Sequence, residues 1–239
     1  MSKAWWPAVT GSPIVVCLTF LWLAGTHDWT ALFGPVIAGA FTNAFLANAL
    51  LSIVAAPLAG VLIARRTGNA WVMTRRLAGM ACGFAGVSLV MSILGGAPPP
   101  GNLWSVTAAH VAMAAGAMGL AAFGALCERL FRNPLDAGAT SVTAAAATGV
   151  GILIAGPFTA DIPRPVIDGA LLASPLVTTA TAAGIDILRT DVLYRVSPLA
   201  HVGTEYSEWP VATAVYFLFT VVCVAGVVLV KRRRPYRSV

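Results

Sequence analysis

Few side chains in this sequence could carry out chemistry inside a protein core. His110 is the one histidine well within an apolar run, whereas His27 and His201 fall in polar connections. A buried imidazole can bind a proton, contact a substrate or ligate haem, so His110 is a candidate functional residue. A hydrogen bond to a neighbouring helix is the simpler interpretation, and both stay open.

Two further groups of polar side chains could line a path through the protein. Asn43 and Asn48 are five residues apart, about 140° around a helix, so they do not share one face. Hydrogen bonding between helices is the simpler interpretation for both. The hydroxyls of Thr178, Thr179 and Thr181 could line a hydrated translocation path or donate hydrogen bonds to carbonyl groups of their own helix.

The acidic residues and the cysteines form no recognisable catalytic or metal site. Every Asp and Glu falls in a predicted loop or interfacial segment, and the four cysteines lie far apart without a CxxC pair. Neither HExxH nor GxSxG occurs. The sequence therefore predicts no catalytic residue, no metal site and no cofactor bound to this chain.

The composition predicts that membrane helices position these residues. Of the 239 residues, 58% are hydrophobic and only 10% are charged, and the mean hydropathy is +0.83. Such values exclude an ordinary soluble domain. The alternation typical of barrel strands is missing, so the crossings should be α-helices. The predicted fold class is all-α: one polytopic integral membrane domain over 1–239 with six transmembrane helices.

Six apolar runs, five of them of roughly the 20 residues that a bilayer crossing needs, are bounded by charged or turn-forming residues. The predicted spans are 6–25, 35–64, 77–95, 104–126, 140–158 and 210–230, and 231–239 is a cytoplasmic tail. The second run is too long for one straight crossing, so we expect it to tilt or bend near Pro57.

The segment 161–209, between spans five and six, is predicted to lie at the outer membrane surface. Its part 169–184 is apolar and rich in hydroxyl groups, is interrupted by Pro175, and suits a re-entrant or interfacial helix. The part 185–196 has a period near 3.6 residues and predicts an amphipathic helix. The charges that can pair along this helix are Asp186 with Arg189 and Asp191 with Arg195.

The basic residues predict the orientation. Of the 15 Lys and Arg residues, 12 lie in the N-terminus, 64–76, 126–137 and the tail. By the positive-inside rule both termini face the cytoplasm, in a bacterial-type inner membrane with lipid around the spans. No basic patch is interleaved with aromatic residues, so the net charge of +6 does not indicate a nucleic-acid partner.

Four arginines fall between spans two and three. They are Arg65, Arg66, Arg75 and Arg76. Their first interpretation is as topology anchors at the membrane surface. Docking of a cytoplasmic partner is a further possibility at the same position.

This layout resembles the permease subunit of ABC-2 (type V) transporters, the family that includes the nitrous-oxide-reductase maturation permease. The resemblance covers nearly the whole chain as topology. Its residue-level part lies in Ala173-Ser-Pro-Leu-Val, Ile185-Asp-Ile-Leu-Arg and Tyr194-Arg-Val-Ser-Pro-Leu-Ala. Family members have six spans, cytoplasmic termini, short outer helices between spans five and six, and a cytoplasmic loop that docks on the ATPase. The interval 65–76 holds the matching position and is short.

The resemblance implies a transport function without an enzyme activity on this chain. The protein would be the permease of an ATP-driven transporter, assembled with a second permease copy or homologue and a cytoplasmic ATP-binding subunit. ATP would bind to that partner, because no GxxxxGK[ST] motif occurs here. The alternative is a structural or accessory subunit of a larger membrane complex, for example a bioenergetic complex that holds a cofactor.

Overall fold

A computed structural model of the chain describes residues 40–94, 103–131, 133–154, 162–187 and 207–230. Within these ranges the long elements are all helices, which confirms the all-α fold class. Several predictions lie outside the described residues. They are the first span at 6–25, the charged pairs that involve Arg189, Asp191 and Arg195, and the tail at 231–239.

Seven helices lie within the described ranges. In chain order they are α1 (Ala40–Arg66), α2 (Ala70–Leu94), α3 (Leu103–Leu130), α4 (Pro134–Ile154), α5 (Arg164–Ala173), α6 (Pro175–Ala182) and α7 (Trp209–Leu229). Helices α2 and α4 begin several residues before the predicted spans at 77 and 140. The extra turns carry charged residues at the ends of otherwise apolar helices, where long side chains can reach water.

Among the described residues, three helices are long and apolar enough to cross a membrane. The qualifying segments are Asn48–Arg66 of α1, Trp104–Leu130 of α3 and Trp209–Leu229 of α7. They indicate a membrane protein, as the composition predicts. The total of six spans stays a prediction.

Helix α3 is the central helix of the bundle. It contacts α1, α2, α4, α6 and α7. Of its apolar span, 72% is buried within the chain, against 33% for that of α7. Residues on α3 are therefore placed to respond to movements of most of the other helices.

Helices α1 and α3 approach each other so closely that the contact requires glycine. A Cβ atom on Gly60 would overlap the carbonyl oxygen of Ala121, and one on Gly124 would overlap the carbonyl oxygen of Pro57. Small residues permit this approach of two backbones in membrane bundles. Helix α1 runs through Pro57 as one continuous element.

The segment after α4 forms two short helices separated by Ser174. The Ser174 hydroxyl accepts a hydrogen bond from the Val177 N–H at 3.3 Å and donates one to the Gly149 carbonyl at 2.6 Å. Pro175 takes the first position of α6, where its missing N–H leaves no hydrogen bond unmade. The proline thus begins a second helix instead of interrupting one helix over 169–184.

Helix α6 lies inside the bundle. All of its residues except Thr181 are buried, and it contacts α1, α3, α4 and α7. It ends in a Schellman motif: the Ile185 N–H bonds to the Ala180 carbonyl, and Gly184 adopts φ 75°, which glycine tolerates best. Such an end fixes where the chain leaves the bundle.

Candidate functional site

One end of the bundle carries the charged residues of the first three described helices, and we call it the arginine end. Arg65 and Arg66 close α1, and Arg75 and Arg76 lie in the first two turns of α2. The connection between the two helices is only 67–69. Most of the predicted interval 65–76 is therefore helical.

Thr67 ties three helices together at the arginine end. Its hydroxyl accepts a hydrogen bond from Nη1 of Arg76 at 3.0 Å, and its carbonyl accepts one from Nη2 of Arg129 at 3.0 Å. Arg129 lies near the end of α3 and is buried. Hydrogen bonds to charged donors stabilise by about 1.5–3 kcal/mol. The corner between α1 and α2 is thereby fixed to the central helix.

The outer surface of this corner is basic and aromatic. Arg65, Arg66 and Arg75 are exposed, and Trp71 is 69% exposed. Asn69 caps α2, because its side-chain oxygen accepts a hydrogen bond from the backbone N–H of Trp71 at 2.8 Å. The arginine end can therefore meet an acidic partner or anionic headgroups while its interior stays fixed.

A buried polar pair lies toward the opposite end. Nδ2 of Asn48 on α1 donates a hydrogen bond to Oγ of Ser88 on α2 at 3.2 Å, and both side chains are buried. This is the interhelical hydrogen bond that the sequence favours for an asparagine in span two. The side chain of Asn43 lies outside the described residues.

His110 lies on α3 with its ring buried. Its Nδ1 is 2.7 Å from the carbonyl oxygen of Val106, one turn earlier on the same helix. The ring of Phe45 on α1 packs against it edge-on, with centroids 5.3 Å apart. Nε2 is buried without a hydrogen-bond partner among the described residues. Within that part of the chain, the hydrogen bond of the ring runs to its own helix and not to a neighbouring one.

The three candidate threonines lie on α6. The hydroxyl of Thr178 donates to the Ser174 carbonyl at 3.1 Å, and that of Thr181 donates to the Val177 carbonyl at 2.9 Å. Thr179 is buried in the core. A hydroxyl that donates to a carbonyl of its own helix already has a hydrogen-bond partner, so it does not require a hydrated path beside it.

A small cleft lies between the two short helices and the beginning of α7. Its lining residues are Leu171, Leu172, Val177, Thr178, Thr181, Ser207 and Ala212. Thr181 thus lies near the start of α7, whereas Pro175 packs on Gly116 in the middle of α3. Helix α6 therefore runs back toward the end of the bundle from which α7 begins.

Several residues of these clusters were not candidates in the sequence. Tyr216 on α7 donates a hydrogen bond to the Leu172 carbonyl at 3.3 Å and so holds the end of α5. Ser88 and Ser174 are single small polar residues beside apolar ones, and Thr67 follows Arg66 in a short polar connection. An isolated small polar residue does not identify its partner, so the sequence does not predict these contacts.

The described part of the chain offers polar and basic surfaces. Among the residues that the structure describes, no three His, Cys, Asp or Glu side chains are grouped to hold a metal ion. No protein-family model, no curated protein and no solved structure matches the chain. The similarity to ABC-2 permeases thus rests on the topology and the short motifs quoted above, and stays a prediction.

Proposed function

We propose that this chain is the membrane-spanning permease subunit of an ATP-driven transporter. The observation that carries the proposal is the arginine end: three exposed arginines stand on a corner that Thr67 bonds to α2 and α3. A separate cytoplasmic ATP-binding subunit docks there, and a second permease copy or homologue completes the complex. The chain itself hydrolyses no ATP.

The packing supports transmission of force from this corner. Because Arg76 and Arg129 both bind Thr67, a push on the α1–α2 connection displaces α3 with it. Helix α3 in turn contacts α4, α6 and α7, so the motion spreads through the bundle as a rigid-body shift. An isolated surface loop would absorb the same push by bending.

The proposal includes the full topology. Six spans cross a bacterial-type inner membrane with both termini in the cytoplasm, and α5 and α6 form a re-entrant pair that enters from the outer side. The burial of α6 and its return toward the start of α7 support this pair. Labelling of a cysteine placed at Asp168 by a membrane-impermeant reagent from outside tests the orientation, and protection of that site would contradict it.

Co-purification is the decisive experiment for the function. The tagged chain is isolated in mild detergent, and the proteins that accompany it are identified by mass spectrometry. We expect an ATP-binding subunit at near-equal stoichiometry, lost in the double variant Arg66→Ala/Arg75→Ala and retained in Arg164→Ala. Arg164 is a matched control because it is exposed and begins α5, away from the arginine end. Absence of any ATPase from the parent preparation would overturn the proposal.

The second candidate is a structural or accessory subunit of a larger membrane complex. The outward face of α7 favours it, because this helix buries only a third of its apolar span within the chain. The same preparation decides between the two functions. Redox or other membrane subunits in place of an ATPase would support the accessory role.

A further inference from the structure

Helix α2 turns a glycine-rich face away from the bundle. Its exposed residues from the second turn onward lie along one side of the helix and are Arg75, Gly79, Cys82, Gly83, Gly86 and Val90. A Cβ atom on Gly79, Gly83 or Gly86 would meet nothing within 4 Å. Gly79 and Gly83 have the GxxxG spacing, which lets the backbones of two membrane helices approach closely. The described helices leave this face of α2 uncovered.

Helix α4 turns a second face of small residues away from the bundle. The exposed residues of this face are Asp136, Ala139, Thr140, Thr143 and Ala147. Gly151 continues the same side, and a Cβ atom there would meet nothing within 4 Å. The opposite side of α4 is covered, because Gly149 lies against Ile53 of α1. Each of the two helices thus presents one small-residue face to its surroundings.

The rest of the bundle shows how such faces are used. Between α1 and α3, Gly60 and Gly124 each lie against a backbone carbonyl of the other helix. On α7, by contrast, the outward face carries large side chains such as Phe217 and Leu218. Large side chains suit lipid tails, whereas a glycine face leaves a groove that a second helix fills with backbone contacts. A helix is therefore the occupant that the faces of α2 and α4 fit.

Charge decides which two faces pair. Arg75 is the first residue of the α2 face and Asp136 the first of the α4 face, and both side chains are exposed. Among the described residues, neither one forms a hydrogen bond or an ion pair. Two α2 faces packed on each other would bring two arginines together, and two α4 faces would bring two aspartates together, which is repulsive. An α2 face packed on an α4 face joins opposite charges.

The directions and the spacing of the two helices allow this pairing. Helix α2 begins at the arginine end, and α4 begins just beyond the end of α3, where Arg129 binds Thr67. Two copies of a chain share one orientation in a membrane, so α2 of one copy and α4 of the other run parallel. Equal steps from the charged residue then bring the two faces to the same level, with at least one small residue at each step. The pairs are Gly79 with Thr140, Cys82 with Thr143, Gly86 with Ala147 and Val90 with Gly151.

We propose that a second copy of this chain packs its α4 face on the α2 face, with Arg75 of one copy beside Asp136 of the other. In a two-fold dimer the contact occurs twice, since the α4 face of the first copy then meets the α2 face of the second. The inference names the surface by which the second copy of the proposed permease binds, and it rests on the proposed function only in expecting a second copy.

Disulfide crosslinking of the full chain in its expression membrane tests the contact. The other three cysteines are replaced by alanine, so that Cys82 is the only native thiol, and Thr143→Cys adds one on α4. After mild oxidation we expect about fivefold more disulfide-linked dimer than with Val222→Cys on α7, because the bond needs Cα atoms within about 7 Å. Val222 is a matched control, since it is 59% exposed and lies one turn from Gly226, which contacts Leu126 near the arginine end. Equal yields of dimer from the two variants would overturn the proposal.

Two other occupants of the α2 face are outcomes of the same experiment. An equal yield of dimer through Cys82 alone, without the second thiol, would assign the face to α2 of the second copy. A disulfide between Cys82 and Cys17 within one chain, in a variant that keeps both, would assign it to the predicted span 6–25. Either result would overturn the pairing with α4.

Charge reversal tests the ion pair. With the two thiols in place, Asp136→Arg is expected to lower the yield of linked dimer about threefold, and the addition of Arg75→Asp is expected to restore it. An unchanged yield with Asp136→Arg, or a loss that Arg75→Asp does not restore, would contradict the pairing of these two residues.

The crosslinking and the co-purification separate this inference from the transport proposal. Asp136 lies on α4, outside the corner between α1 and α2 on which the ATP-binding subunit is proposed to dock. An ATPase that co-purifies while no disulfide forms would overturn the contact between copies alone. A disulfide without any co-purifying ATPase would support the contact and overturn the transport proposal.

Discussion

Helices α3 and α7 are both long and apolar, yet their places in the bundle are opposite. Helix α7 has the higher mean hydropathy, but only 33% of its span is buried within the chain, whereas 72% of that of α3 is buried. The buried residues of α3 are mostly small, with eight alanines among them. The outward residues of α7 are large, including Phe217, Leu218, Val221 and Val222. The more apolar helix is thus the more peripheral one.

The difference shows what holds this bundle together. Lipid tails are as apolar as leucine, so a large apolar side chain gains little by leaving lipid for the protein interior. Close backbone approach and hydrogen bonds between helices then decide which faces meet. Helix α3 provides both: glycine at its contact with α1, and Arg129 bound to Thr67.

The largest effect is expected where the close approach is blocked. Gly60→Ala places a Cβ atom on the carbonyl oxygen of Ala121, and because backbone must shift, we expect a loss of about 3 kcal/mol in the free energy of unfolding. Gly83→Ala on α2 is the control, since its Cβ meets nothing within 4 Å. The thermal unfolding midpoints of the two variants are measured with size-exclusion chromatography as the readout. Equal midpoints would refute the close approach of α1 and α3.

A smaller loss is expected where α6 is anchored. Ser174→Ala removes both the cap of α6 and the bond to the Gly149 carbonyl, which together contribute about 1–2 kcal/mol. Thr148→Ala is the matched control on α4, because that hydroxyl is exposed and bonds only within its own helix. Denaturant titration should separate the two variants, and a Thr148→Ala loss as large as that of Ser174→Ala would contradict the anchoring role.

The interhelical bond of Asn48 contributes less. A double-mutant cycle of Asn48→Leu and Ser88→Ala isolates its energy, because each single variant removes the same bond. We expect a coupling of about 0.6 kcal/mol, the average for such bonds in membrane bundles. Additive losses would show that the two side chains act separately.

The smallest effect is expected on the outward face of α7. Leu218→Ala removes a side chain that is 65% exposed and should change the free energy of unfolding by less than about 0.5 kcal/mol. Leu120→Ala, on the buried side of α3, should cost about 2 kcal/mol or more. If Leu218→Ala is destabilising by a similar amount in the purified complex, a partner covers this face and the comparison with α3 must include that partner.

The break between α5 and α6 shows how far the sequence leads. Pro175 and the short apolar run around it predict that 169–184 cannot cross the membrane as one helix. They do not reveal that Ser174 caps a second helix, because the bond that fixes the corner runs to Gly149, 25 residues away. Neither do they reveal that Tyr216 holds the last turn of α5. Both partners are ordinary residues on other helices.

The sequence by itself determined the all-helical fold class and the clustering of arginines at one end. These follow from apolar runs and from charges that stay near water. Only the tertiary structure decided which helix is central, that Thr67 joins Arg76 to Arg129, and that Phe45 of α1 packs against His110 of α3. Faces toward lipid and faces toward protein are equally apolar, so hydropathy does not distinguish them, and only packing brings distant residues together.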